Sequence, residues 1–263
     1  MTKRIIFGLL AFVILFAVTY FNNLVFLIGC FCVAAVMIWE LYRALGLKTN
    51  VFVLLIVFIP LFELGVFDFL DFGIWAAFIV LLLYYLFSDC SFNDVSKTFM
   101  VIMYIAVPII CLHYIREIDY GSYFIWFALM GSFASDTFAI FIGKCFGKLK
   151  LFEKVSPKKT IAGAIGGIIG VIICFVVFAY FIGWKTGNAI NYFGFDGVIS
   201  LAIVCGVFSQ LGDLVASRIK REHNIKDYGD LIPGHGGMLD RCDSVLLIAP
   251  MVYLWVTQFS LFI

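Results

Sequence analysis

Runs of apolar residues long enough to cross a bilayer dominate this chain and constrain its fold more than any other feature. Ile161–Trp184, for example, is 24 residues without one charged side chain. About 20 such residues cross the hydrocarbon as a helix. No water is available there, so each segment must satisfy its own backbone N–H and C=O groups, and helices are the expected solution. Nine runs read this way, over residues 5–21, 24–40, 51–67, 73–88, 99–115, 121–143, 161–184, 195–216 and 244–262. Met1–Arg4 is basic and imitates a secretory leader. The run behind it is long enough to span and lacks a small-residue cleavage site, so it reads as the first membrane helix. Composition agrees, with 64% hydrophobic and 13% charged residues, against about 45–50% and 25% in soluble domains. The expected fold is an all-α polytopic membrane protein of about nine transmembrane helices.

The net charge of +1 excludes nothing, but its distribution is informative. With nine helices and a cytoplasmic N-terminus, the inside segments are Met1–Arg4 and the loops near 41–50, 89–98, 144–160 and 217–243. Sixteen of the 18 Lys and Arg fall there, leaving Arg116 and Lys185 outside. Cytoplasmic loops of membrane proteins carry such an excess. The expected location is the cell (inner) membrane, with both charged loops cytoplasmic and the C-terminus outside. Eight cysteines show no CxxC pair and read as free thiols. The lipid bilayer is the expected surroundings, and no nucleic acid is expected as a partner.

Ser217–Asp243, SRIKREHNIKDYGDLIPGHGGMLDRCD, carries 10 charged side chains and two histidines in 27 residues, between apolar runs. A charge at the bilayer centre costs about 2.5–3.5 kcal/mol on insertion scales, so this cluster lies outside the hydrocarbon or lines a polar cavity. A second cluster starts at Ser135-Asp136-Thr137, inside an apolar run, and continues through Gly143–Gly163 with six lysines in 144–159. Its lysines could simply anchor to lipid headgroups. Alternatively, Ser156 is placed to cap the next helix and Pro157 to open it. Lys158 and Lys159 would then stand at a helix N-terminus, an anion site. Asp213, near the cytoplasmic end of the eighth run, is a functional candidate by its depth; pairing with Arg218 or Lys220 is the plainer reading. Asp240 and Asp243, three apart, share a face if that turn is helical, although Asp243 could equally cap a helix beginning at Ser244. An Asp-rich, His-poor set suits a hard cation such as magnesium. Glycines 234, 236 and 237 allow either backbone approach to a ligand or a tight connection. Gly166-x-x-x-Gly170 reads as a helix-packing contact.

The order S-x-I-K-R, four residues, K-D-x-G, two residues, I-P-x-H-G-G-M-x-D-R-x-D resembles the signature of the phosphatidate cytidylyltransferases, or CDP-diacylglycerol synthases. Asp136, then G-K-x-F-G-K and S-P-K-K-T, resembles that family's second shared region. The sequence departs from it at Phe138, usually small, at Ala162, often Glu, and at Cys242, usually aliphatic or Thr. The resemblance is specific over about 130–245. It implies one integral membrane domain over 1–263, with variable N-terminal helices (1–120) and a catalytic half (121–263). It further implies transfer of a cytidylyl group from CTP to phosphatidate, giving CDP-diacylglycerol and pyrophosphate for phospholipid synthesis.

On that resemblance, Asp213, Asp240 and Asp243 are the expected magnesium ligands, with room for a second cation. Lys220, Arg221, Lys226 and Arg241 would neutralise phosphate charge, Asp227 would assist the metal or orient a lysine, and His235 would orient a phosphate. Asp136, Lys150, Ser156, Lys158, Lys159, Thr160, Ser217, Gly236 and Gly237 would bind substrate. A homodimer is left open. A transporter using Asp136 and Asp213 as ion sites predicts broken helices repeated in matching halves, which the sequence lacks. Another CTP-dependent lipid transferase would share these motifs, since none of them specifies the lipid.

Overall fold

The computed structural model describes residues 19–47, 51–66, 69–153, 155–186, 194–231 and 236–259. In chain order the elements are α1 (Asn23–Ala44), α2 (Val51–Val66), α3 (Leu70–Phe87), α4 (Phe92–Glu117), α5 (Gly121–Phe146), β1 (Lys150–Phe152), β2 (Ser156–Thr160), α6 (Ile161–Thr186), α7 (Gly194–Glu222) and α8 (Leu239–Phe259). Eight of the nine expected runs coincide with these helices. The first, 5–21, lies almost wholly outside the described residues.

Among the described residues, six helices are long and apolar enough to cross a membrane: α1, α3, α4, α5, α6 and α7. Helix α2 has 16 residues, and the apolar part of α8 begins only at Ser244. Large apolar side chains cover the outside, such as Phe72, Trp75 and Leu86 on α3, each 65–70% exposed. A water-soluble chain rarely leaves so wide an apolar surface uncovered. This is an integral, all-α polytopic membrane protein.

Local signals moved three boundaries. The polar stretch expected as a loop over 89–98 is helical from Phe92, because Ser91 Oγ accepts the Asp94 N–H at 3.1 Å and caps the helix. The expected loop 217–243 is helical as far as Glu222, so Ser217, Lys220 and Arg221 stand on the last turns of α7. Ser156–Thr160 is a strand rather than a helix start. A residue ahead of proline is steered away from the helical region. Accordingly Ser156 is extended and pairs with Phe152, while Lys150 pairs with Thr160 in an antiparallel hairpin. The cap of α6 is Thr160, whose Oγ1 accepts the Gly163 N–H at 3.1 Å.

The chain divides into two compact units: Met1–Tyr114 with His223–Arg241, and Ile115–Glu222 with Cys242–Ile263. The first is organised around Met37, Leu61, Leu81, Ile102 and Ile105, all fully buried. Phe31, Phe58 and Phe62 form an aromatic cluster there with centroids 5.1–5.7 Å apart, Phe31 stacked on Phe58 and edge-on to Phe62. In the second, Ile125, Phe175, Leu201 and Leu246 are fully buried. Helices α5 and α6 approach closely, since α6 turns small residues toward α5. A Cβ at Gly163 would lie 2.7 Å from the Ala139 carbonyl, and one at Gly166 would lie 2.6 Å from Ile142. Gly170 leaves the space filled by the Phe138 ring, so this bulky departure from the family pattern is accommodated by a missing side chain opposite. The packing role expected of Gly166 and Gly170 is what the structure shows.

Candidate active site

Where α5, the β-hairpin, α6 and α7 meet in the second unit, a cavity of about 650 Å³ opens. Four lysines line it (Lys144, Lys150, Lys158 and Lys159), together with Asp136 and Asp213. Small residues, among them Gly143, Gly147 and Gly163, form part of its wall. The hairpin explains how closely spaced lysines reach one space: pairing β1 with β2 brings Lys150 beside Thr160, next to Lys158 and Lys159. Thr160 is buried; it caps α6 while fitting against Gly143 and Gly147. Gln210 of α7 donates to the Ala164 carbonyl at 2.8 Å and ties α7 to the start of α6.

Asp213 projects from α7 into this cavity. Its Oδ2 pairs with Lys159 Nζ at 2.6 Å, and its Oδ1 accepts the Ser217 hydroxyl at 3.2 Å. Its ion-pair partner is therefore a residue of the other charged segment, not Arg218 or Lys220 as the plainer reading supposed; Arg218 pairs with Glu222 at 2.7 Å. Beside Asp213, Gly212 lets α7 touch α8. A Cβ at that position would stand 2.6 Å from the Asp243 carbonyl oxygen and 3.0 Å from Ser244 Cα.

Asp243 is 8% exposed and stands one residue ahead of the apolar run of α8. It is not the cap of a helix starting at Ser244, because α8 begins at Leu239. Burial pushes its carboxyl up to about 7, and the negative charges of Asp213 and Asp136 add to that rise. The Ser244 backbone N–H, which Oδ1 accepts at 2.7 Å, and the Lys220 charge oppose it. A buried carboxylate crowded by two others gains most from a cation. Among the described residues, no group of three or more His, Cys, Asp or Glu side chains forms a ready coordination cluster. The donor chemistry nevertheless fits a hard ion, since carboxylate oxygens such as those of Asp243, Asp213 and Asp136 are the kind a magnesium ion would take.

In the first unit, Asp240 of α8 draws two stretches of backbone together, one at Tyr228 and one at Gly237. Asp240 Oδ2 accepts the N–H groups of Tyr228 at 2.8 Å and Gly237 at 3.0 Å. Gly236 has φ +86°, a conformation open to glycine. Lys226, Asp227 and Arg241 are exposed beside these stretches. His235, together with Pro233 and Gly234, lies outside the described residues.

One residue here was noted in the sequence, in Trp39-Glu40-Leu41 opening the first polar inside loop, but given no role. Glu40 of α1 is 4% exposed, and its carboxylate accepts the Met238 N–H at 2.9 Å and the Leu239 N–H at 2.8 Å. Its signal was visible: it is the only acidic residue of α1, at the end of an apolar run, with Arg43 three residues on. Gly237, expected at substrate, packs against this carboxylate.

The second unit thus gathers Asp136, Lys150, Lys158, Lys159, Thr160 and Asp213 at one cavity, with Ser217 bonded to Asp213 and Asp243 beside Gly212. Ser156, in β2, pairs with Phe152 outside the cavity lining. Such a fold and site define a membrane-embedded protein built to handle phosphate groups, with fixed cations facing carboxylates suited to a metal. The model of the Cytidylyltransferase family matches residues 2–259, and the chain belongs to that family. It is 31% identical to a phosphatidate cytidylyltransferase of Bacillus subtilis (strain 168), over 99% of both chains. Phosphatidate cytidylyltransferases of Staphylococcus saprophyticus and Staphylococcus haemolyticus are each 34% identical over 64% of this chain and 61% of theirs.

Proposed function

We propose that this chain transfers the cytidylyl group of CTP to phosphatidate, releasing pyrophosphate and leaving CDP-diacylglycerol in the bilayer. The observation that carries the reading is the cavity in which Lys159 of the hairpin meets Asp213 of α7, in a chain matching the cytidylyltransferase family over its whole length. The nucleophile is a phosphate oxygen of the lipid, attacking the α-phosphorus of CTP. A phosphomonoester with a second pKa of about 6 is largely dianionic at neutral pH, so no strong base is required. The barrier lies in bringing two polyanions together and dispersing charge as pyrophosphate leaves.

Lys150, Lys158 and Lys159 hold phosphate groups in the cavity. Asp213 and Asp243, with Asp136 nearby, would hold magnesium, which would supply charge neutralisation for the nucleotide phosphates. Lys159 then has two partners to exchange, the Asp213 carboxylate before substrate arrives and a phosphate afterwards. Lys220, Arg221, Lys226 and Arg241 contribute further positive charge, with Asp227 orienting a lysine and His235 a phosphate. Asp240 takes first the backbone-tying role that its hydrogen bonds support. The excess of Lys and Arg in alternate loops supports a cytoplasmic N-terminus and a cytoplasmic reaction face, with nine membrane helices in all.

The test is purified full-length protein with radiolabelled CTP, phosphatidate and magnesium. A labelled liponucleotide together with pyrophosphate is expected. CTP left unconsumed, in protein that is folded and correctly inserted, overturns the reading.

A further inference from the structure

We propose that Glu40, seconded by Arg43, is a positioning residue that holds the backbone at Tyr228 and at Met238–Leu239 against α1 and so sets where the neighbouring charged residues stand. The inference rests on the cytidylyl-transfer reading only for its consequence in catalysis. The clamp itself is a matter of geometry within the first unit.

A carboxylate buried at the end of an apolar helix is costly unless its charge is met by hydrogen bonds. Glu40 meets that condition with the backbone. Oε1 accepts from Met238 and Oε2 from Leu239. Leu239 opens α8, so these amides include donors that a helix leaves unpaired at its N-terminus, where a negative charge is also favoured. The chain thereby supplies from α1 a cap that the sequence around 236–239 does not supply locally.

Arg43 sits three residues further along α1, on the same side of the helix. It donates from Nη2 to the Tyr228 carbonyl at 3.1 Å. Tyr228 on one side and Met238–Leu239 on the other are therefore both held to α1. Two glycines make room for the carboxylate: a Cβ at Gly229 would lie 2.6 Å from Glu40 Oε1, and one at Gly237 would lie 2.6 Å from both Glu40 oxygens. Any side chain at 229 or 237 would push Glu40 off its amides. Lys226, Asp227 and Arg241 flank these held positions, and a small displacement of such groups is enough to cost rate.

The experiment uses the full-length chain in detergent or liposomes and compares E40Q, E40A, G237A and E40A/G237A. Glutamine keeps the size of Glu40 but only one acceptor oxygen. E40Q is expected to lose roughly tenfold or more in kcat, with KM for CTP and phosphatidate changed less than about threefold, the split expected when groups are misplaced in the transition state. Amide exchange in a 228–239 peptide should accelerate in E40A, with exchange in 161–183 unchanged. E40A/G237A should be little worse than E40A alone, because the two single changes break the same contact.

Wild-type kcat in E40Q overturns the positioning role, as does a double variant in which the losses simply add. Unaltered exchange at 228–239 in E40A overturns the clamp itself; if E40A does not fold, E40Q carries the same exchange measurement. An unsubstituted chain that makes no liponucleotide overturns the activity reading alone, since the exchange arm reads the clamp without chemistry.

Discussion

Substituting Gly212 with alanine tests the idea that α7 and α8 must touch for the carboxylates of the second unit to work together. The added Cβ would lie 2.6 Å from the Asp243 carbonyl oxygen, 0.8 Å inside the 3.4 Å at which ordinary van der Waals contact begins. It would also lie 3.0 Å from Ser244 Cα. Both atoms are backbone, so no side chain can rotate away and the helices themselves must part. Overpacking of this kind costs about 1–3 kcal/mol. Asp213 is the next residue on α7 and Asp243 is the contact on α8, so the same displacement separates the two proposed magnesium ligands. A misplacement near 1 Å costs on the order of a hundredfold in rate, and G212A should therefore retain roughly one to ten per cent of kcat. The assay is liponucleotide formation at saturating CTP and phosphatidate over a magnesium titration, alongside the melting midpoint. The midpoint should fall modestly and the magnesium requirement should rise. V207A, on the exposed face of the same helix, should change neither. G212A protein with wild-type turnover and magnesium dependence would refute the reasoning, because the ligands would then tolerate a spacing the structure excludes.

Asp243 gives a pH dependence with a definite sign. Its carboxyl is raised to about 7 from 3.8. In metal-free protein its contribution to stability is thus full below about pH 4 and is lost as pH rises through 7. Magnesium must displace that proton, so its affinity should fall from pH 8 to pH 6, with proton release seen by calorimetry in buffers of different ionisation enthalpy; D243N should abolish the release. K158Q and K159Q should raise KM for a phosphate-bearing substrate, whereas unchanged kinetics would return those lysines to a lipid-anchoring role. T160A removes the cap of α6 and should cost about 1 kcal/mol, read as a lower melting midpoint that T160S largely restores.

The sequence by itself determined the class of fold. Apolar runs such as 161–184 leave a chain no alternative to helices, because hydrocarbon offers the backbone no hydrogen bonds. The charged residues that remain are few, and their motifs were enough to indicate phosphate chemistry. Local rules misplaced the edges: Ser156-Pro157 read as a helix start although the residue ahead of a proline favours extended backbone, and the polar Ser91-Phe-Asn-Asp94 concealed a helix cap. Partners were legible only in space. Apolar helices can turn any face inward, so it took the glycines of α6 packing on α5, and Gly212 packing on α8, to decide which faces meet. The hairpin then put Lys159 on Asp213 in place of Arg218. Glu40 is the clearest case: the sequence shows a lone carboxylate at the end of an apolar helix, and only the tertiary structure supplies the amides of Met238 and Leu239 that make its burial stable.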